Sequence, residues 1–370
     1  EAGARVYWER FIDDKQTGDS PDSREGIYYI PAASEEESPT IVGQSHHYET
    51  MAFSAFLSEN INFGFLELRP GVRFEIFEQE RVDRLAGSTY LDKTTAIVLP
   101  GVGFISDIGS ISLFGGFHRG FTPPSSGALK IVNFGEDISD GGLDLKSEKS
   151  WNKEIGIRGG LSIIEFEFSG FHVSVEDMVA AGRGTAFKNL GKVNTMGLET
   201  RTALAFSQIN KFLPNVDVSY SFLNTEVIDG RIISNVSGSV GSEVDISGKE
   251  LPYAPAHTLM VGFTSNFNER FSLRIDTKYV SEVFTDFENI EKTDNLGISG
   301  PVPEYSIINL STSFQFNEKI RVFLSGKNIT DESYIGSRLH SNPGQKEAGL
   351  SSGILVGPRR QINLGVEYNF

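Results

Sequence analysis

Side-chain alternation is the feature that most limits what this chain can become, and it is cleanest at the C-terminal end. From Gln361 to Phe370, Ile362, Leu364, Val366, Tyr368 and Phe370 share one parity, while Gln361, Asn363, Gly365, Glu367 and Asn369 share the other. Successive side chains of a strand point to opposite faces, so the segment reads as a strand with one apolar and one polar face. A soluble sandwich also contains such strands. Here the apolar side ends on two aromatics, as the interfacial girdle of a membrane barrel does. The decision rests on whether the pattern repeats.

It repeats along the whole chain. About fourteen strand-like runs follow one another, near 4–10, 47–59, 63–79, 94–105, 110–118, 150–158, 161–178, 193–208, 215–228, 258–266, 271–284, the stretch holding Ile308 to Phe316, 320–328 and the closing run. In the third, Leu66, Leu68, Val72, Phe74 and Ile76 oppose Glu67, Arg69, Arg73 and Glu75. Short turns are expected at 60–62, 106–109, Gly159-Gly160, Asn210-Lys211, Asn268-Glu269 and Asn317-Glu318. Longer connections fall near 11–46, 82–92, 120–146, 179–192, 229–252, 286–303 and 330–355. Globular strands average about five or six residues, and several of these runs are roughly twice that or more. A strand crossing a bilayer needs about nine to eleven residues, and a spanning sheet must close to pair its backbone groups. The fold expected is therefore an all-β, transmembrane antiparallel β-barrel, with the short turns periplasmic and the long loops exterior.

Composition agrees with this reading. Hydrophobic residues make up only 39% of the 370, but alternation hides apolar residues from any average. No run approaches the roughly 18 apolar residues of a spanning helix. Cysteine is absent, so disulfides and thiolate metal sites are excluded. A formal charge of −16 argues against nucleic acid as a partner. Neither a Gly-x-Ser-x-Gly elbow, a His-Glu-x-x-His pair nor a P-loop occurs, so no enzyme is expected. The chain opens at Glu1-Ala-Gly-Ala in what already reads as a strand, with no signal peptide, which implies that the N-terminal part of a longer protein is missing.

Several motifs then carry a resemblance. They are Gly326-Lys327-Asn328-Ile329-Thr330-Asp331-Glu332-Ser333-Tyr334, and Gly357-Pro358-Arg359-Arg360 before the terminal strand ending in Phe370. Lys146 to Arg158 and Asn189 to Val193, with Gly197 and Glu199, add to them. Together they resemble the C-terminal part of a TonB-dependent outer-membrane receptor. Gly116-Phe117-His118-Arg119-Gly120-Phe121-Thr122-Pro123-Pro124 is similar to a segment of the receptors grouped with ferric citrate and siderophore uptake.

That resemblance implies a 22-stranded barrel of the bacterial outer membrane, crossing it many times, with an internal plug domain and a TonB box. Residues 1–370 would then be the C-terminal part of the barrel, without plug or first strands. The implied function is import of a ferric chelate with TonB energy. Iron enters only within the chelate, and no cofactor is implied. The implied partners are the chelate, TonB through a plug outside this chain, membrane lipid and lipopolysaccharide, and the barrel-assembly machinery through the closing strand. A passive porin is the alternative, and a structural or adhesive surface barrel is a third reading.

Candidate ligand-binding residues are Arg119, His118, Arg183 and Arg338. An Arg fork suits the carboxylates of a chelator. For Arg119 the competing expectation is an ion pair with Glu148 or Glu154. Asn328, Asp331, Tyr334, Gly357, Pro358, Arg359 and Phe370 stand as family-signature residues. Asn and Asp bond nearby backbone, so Asn328 to Asp331 also read as a plain strand-exit turn. Arg359 and Arg360 are expected at the outer rim, facing solvent or an anion such as a lipopolysaccharide phosphate. His46, His47, His172, His257 and His340 are scattered, and Glu35-Glu36-Glu37 reads as a solvated loop rather than a metal site.

Overall fold

The computed structural model describes residues 1–370 apart from 19, 21, 33, 35–37, 125–144, 181–187, 235–241, 269 and 339–352. Among the described residues, fourteen long strands carry the fold. They are β1 (Ala2–Lys15), β2 (Gln44–Ser58), β3 (Leu66–Asp83), β4 (Ser88–Ile108), β5 (Ile111–Thr122), β6 (Glu148–Leu161) and β7 (Ile164–Glu176). After them come β8 (Lys192–Leu204), β9 (Asn215–Asp229), β10 (His257–Asn268), β11 (Phe271–Val280), β12 (Tyr305–Gln315), β13 (Ile320–Lys327) and β14 (Gln361–Tyr368). They are sheet neighbours in chain order, an antiparallel meander, with the short strand Ile61–Asn62 beside β3. No helix among the described residues is long and apolar enough to cross a membrane, which says nothing of a β-barrel.

The chain divides into two compact units. The first comprises Glu1–Asn60, Arg69–Val102 and Pro123–Lys146. Its register sets Val6 opposite Phe53 and Phe53 opposite Ile76, building an apolar face. The other face pairs Arg5 with Ser54 and Ser54 with Glu75.

The second unit comprises Ile61–Leu68, Gly103–Thr122 and Ser147–Phe370. One apolar face runs through Leu113, Ile157 and Phe168 on β5 to β7, and through Ile275, Leu310, Leu324 and Leu364 towards β14. Leu310 and Leu324 are half-buried, but the others remain exposed, Leu364 at 72%, as does Leu198 on the same face at 55%. In water so much apolar surface would be a liability, whereas facing lipid it is the ordinary outer surface of a barrel.

Phenylalanines on the polar face have a local reason. Phe56, Phe114, Phe171 and Phe323 lie directly opposite Gly3, Gly156, Gly197 and Gly365. Each ring covers its glycine, and a Cβ there would collide with the ring. The glycine makes room for the ring, and the ring shields backbone that would otherwise be bare.

Several boundaries differ from the sequence expectation. Gly159 and Gly160 lie inside β6, opposite Phe166 and Glu165, and the turn falls instead at Ser162, whose φ is +53°. A Cβ on Gly159 would stand 2.7 Å from the Ser110 carbonyl, so this glycine serves close strand approach rather than a turn. The connection expected over 82–92 shrinks to 84–87, because β3 and β4 continue past the apolar band. The Asp83 carboxylate closes it by accepting the N–H groups of Leu85 and Ala86. The turn expected at Asn210-Lys211 is a longer connection holding a 3₁₀ turn, Phe206–Gln208.

Candidate ligand-facing site

The ends of the strands that meet the long loops hold the densest polar chemistry. In the first unit, β2 and β3 bring His46, Tyr48 and Arg81 together on the polar face, and all three are buried. Arg81 donates to His46 Nδ1 at 3.0 Å and lies over the Tyr48 ring. His46 Nε2 faces Asp83 at 3.5 Å. An arginine can only donate, so Nδ1 accepts and the ring proton sits on Nε2, towards Asp83.

In the second unit, a charged ladder crosses the polar face of β9 to β12. Arg274 grips Asp217 with both arms, at 2.7 and 3.0 Å, and its Nε lies 3.6 Å from Asp276. Asn309 donates to Asp276 at 2.9 Å. Glu167, Glu199 and Arg201 line a groove on the same face. This surface carries fixed charges of both signs.

Above the ladder, long connections are tied together. Arg338 is 2% exposed and donates to the Gly297 carbonyl, to Thr293 Oγ1 and, twice, to the Pro301 carbonyl, at 2.7–3.3 Å. The Tyr253 hydroxyl accepts from the Arg338 N–H at 3.1 Å and donates to its carbonyl at 3.0 Å. Burial lowers the Arg338 guanidinium from its ordinary pKa. Asn289 accepts from the Glu250 N–H and donates to its carbonyl. Leu190, Val193, Val227 and Ile246 form a small buried core at this end, with Leu251 and Phe287 packed on it. Asp286 accepts N–H bonds from Glu288 and Ile290, yet burial raises its carboxyl pKa.

Of the sequence candidates, His118 lies on the polar parity of β5, opposite Asn152, and is exposed. The fork of Arg338 is committed to loop backbone. Arg119 corrects one expectation. The register sets it opposite Trp151, whereas Glu154 faces Gly116 and Glu148 faces Thr122, so both carboxylates point to the other face. Arg119 shares the apolar face with Leu113 and Phe117. Arg183, His340 and Glu35 to Glu37 lie outside the described residues, as does much of the connection expected over 120–146. Of the other histidines, His257 Nδ1 lies 2.9 Å from the Tyr220 hydroxyl. No group of three His, Asp or Glu among the described residues could hold a metal ion.

The signature residues form the exit of β13. Asn328 is 3% exposed with φ +48°; its Nδ2 donates to the Glu332 and Pro358 carbonyls, and its Oδ1 accepts from the Glu332 N–H. Tyr334 stacks on Tyr305 at 4.4 Å, and its ring covers Gly357. Arg359 does not face solvent unpaired. Its Nε and Nη2 hold Asp331 at 3.0 and 2.7 Å, and the Arg360 N–H adds a third bond. These contacts, led by the Arg359 fork, hold the Asp331 carboxyl well below the usual range. Phe370 is fully exposed, edge-on to Tyr368 at 5.1 Å.

Sequence reasoning missed Tyr253, Asn289 and the Arg81–His46 contact. Only Tyr253 left a signal, its place between Pro252 and Pro255.

Solved structures share this strand arrangement. The ferric citrate transporter FecA, unliganded, superposes with a TM-score of 0.71 at 19% identity, over 92% of this chain and 48% of that one. The ferric-catecholate import receptor Fiu from K12 E. coli, in its closed form, gives 0.69 at 16%, over 100% and 52%. The siderophore receptor PiuA from Acinetobacter baumannii gives 0.67 at 16%, over 89% and 46%. The chain thus spans about half the length of these proteins. The family model for the TonB dependent receptor-like β-barrel matches residues 3–329, and the chain belongs to that family of transmembrane β-barrels.

Proposed function

We propose that this chain forms part of the wall of a bacterial outer-membrane receptor that captures a ferric chelate and imports it with TonB energy. The family consists of outer-membrane transporters, and the three superposed proteins are described as iron-chelate transporters or receptors. The observation that carries the reading is the charged polar face lying below tied long loops. The ladder around Arg274 and the exposed His118 supply polar contacts along a hydrated path, and the loops supply the capturing surface. A plug outside this chain receives the pull of TonB. Strand β14 supplies the segment that the assembly machinery reads.

The test is uptake of ⁵⁵Fe-citrate, and then of catecholate chelates, by cells carrying the complete gene. Saturable uptake that stops when the proton-motive force is collapsed supports the proposal. Non-saturable flux that survives the collapse assigns the protein to the passive porins instead.

A further inference from the structure

We propose that His46 is a pH-sensitive latch for the loop end of β1 to β3: as a neutral ring it holds the buried Arg81 in place, and on protonation it releases it. His46 lies near the start of β2 and Arg81 near the end of β3, where the ladder meets the long connections. The residues on the opposite face at this level, Asp14 and Ser45, are polar, so the pair sits beyond the apolar band. Arg81 is 1% exposed, and a charge buried that deeply depends on every acceptor it has.

The contact works in one protonation state only. Arg81 Nη2 donates to His46 Nδ1 at 3.0 Å, with the guanidinium over the Tyr48 ring at 5.1 Å. Nδ1 accepts only while the ring is neutral. A second ring proton turns Nδ1 into a donor, so the bond is lost and two cations meet where little water reaches. Two carboxylates also face the ring. Asp83 Oδ2 lies 3.5 Å from Nε2, and Asp13 stands opposite on β1, where it accepts from Gln44. Both favour a charged ring, but Asp83 already faces the Nε2 proton, and the added proton appears on Nδ1, on the Arg81 side. Asp83 is held in its place by the N–H groups of Leu85 and Ala86. Tyr48, edge-on to His46 at 6.4 Å, stays neutral over this range. Burial, and after it the Arg81 charge, keeps the His46 pKa below its ordinary value. The contact is therefore complete above about pH 6.5, the pKa of the unfolded ring, and is lost as pH falls through the lower folded value.

The packing around the pair transmits the loss. Phe77 and Gln79 lie on the same face of β3 and are buried, and Gln79 Nε2 donates to the Pro124 carbonyl at 3.0 Å. On the other face Ser45 donates to Asp14 and accepts from Arg84. When the guanidinium is expelled, the Tyr48 ring is uncovered and β2 loosens against β3 at this end. Nothing in the contact depends on what the receptor transports.

The test uses the complete protein in mild detergent. Hydrogen exchange at the His46 C2 position, separated from His47 by fragmentation, reads the protonation of this ring. Amide exchange over residues 44–48 and 79–84, corrected for its intrinsic pH dependence, reads the packing. From about pH 7.5 to about pH 4.5 the corrected amide rates should rise at least about tenfold, in step with the His46 titration. His46→Asn sets an uncharged acceptor near the Nδ1 position and cannot gain a proton there. Its amides should match the wild type at about pH 7.5, which separates lost titration from lost fold, and should show no step. Arg81→Gln keeps a donor without the charge, so the His46 titration should move up by about one pH unit or more. A step that survives in His46→Asn, a step that departs from the His46 titration as one set by Asp13 or Asp83 would, or a titration unmoved in Arg81→Gln would overturn the latch.

Discussion

Arg338 gives the sharpest test of the tied loops. Its side chain is buried, and its donors end on two main-chain carbonyls and a threonine hydroxyl of residues 293–301. A hydrogen bond from a charged donor contributes about 1.5–3 kcal/mol, and a buried acceptor left bare adds a cost of about 1–3 kcal/mol. Arg338→Ala removes all of these bonds, but water reaches part of the gap, so about 3 kcal/mol of local stability should be lost. That is a factor on the order of 10² in the opening equilibrium. Hydrogen exchange by mass spectrometry on the complete protein reads it directly. Amides of 293–301 should exchange roughly 100-fold faster, while those of β11 stay unchanged. Tyr253→Phe, which strips two bonds from the Arg338 backbone, should cost about 1–2 kcal/mol. The double variant should cost less than the sum, because both residues hold one segment. Arg338→Lys should fall between, since one ammonium lacks the fork that reaches Gly297 and Pro301 together. Unchanged exchange over 293–301 in Arg338→Ala, or equal acceleration in β11, would refute the clasp.

Other outcomes follow from the same geometry. Gly197→Val pushes a branched side chain into the Phe171 ring and the Phe222 carbonyl, and should lower the unfolding midpoint in urea by an amount equivalent to about 1–3 kcal/mol. Asp331 has a lowered pKa, so its stabilisation is complete above the unfolded carboxylate pKa of about 3.9 and disappears as pH falls through its folded value. Asp331→Asn should therefore loosen exchange at residues 328–334 at neutral pH and remove the acid dependence. Asp286 has the opposite sign: its pKa is raised by burial, so its contribution is greatest below the unfolded pKa and falls as pH rises through the folded one. Asp286→Asn should protect amides 286–290 at pH 8 more than the wild type does and flatten the profile between pH 4 and 8. Arg274→Ala breaks a pair whose partners are 39% and 46% exposed, so it should cost no more than about 1 kcal/mol in urea unfolding.

The strands were legible because a lipid-facing sheet writes itself as alternation. Leu66 to Ile76 in β3 and Ile362 to Tyr368 in β14 take their face from parity alone, and the register agrees. Strand ends were harder. β1 runs on to Lys15 through Asp13 and Asp14, where both faces meet water and hydropathy no longer distinguishes them, although the ladder to β2 continues unbroken. The glycine pair at 159–160 misled for a related reason. A glycine that admits a neighbouring backbone and one that permits a turn are the same letter, and only register separates them. The site was less legible still. Arg338 could be nominated as a cation near a loop, but its acceptors are main-chain carbonyls, which carry no identity in a sequence. Asn289 and Glu250 meet across 39 residues with no local pattern to announce them.

The departures from alternation divide by physical cause, and that division carries functional information. Phe114, Phe171 and Phe323 break the polar face, but each stands opposite a glycine whose missing side chain leaves room for the ring. Those exceptions are settled within the sheet and call for no ligand. Arg119 and Lys153 break the apolar face, and the sheet does not settle them. Their partners are aromatic rings, the Arg119 Nε finds no acceptor among the described residues, and the rows beneath them are apolar. A cation held at the edge of hydrocarbon without a carboxylate gains most from a counter-charge supplied by the surroundings.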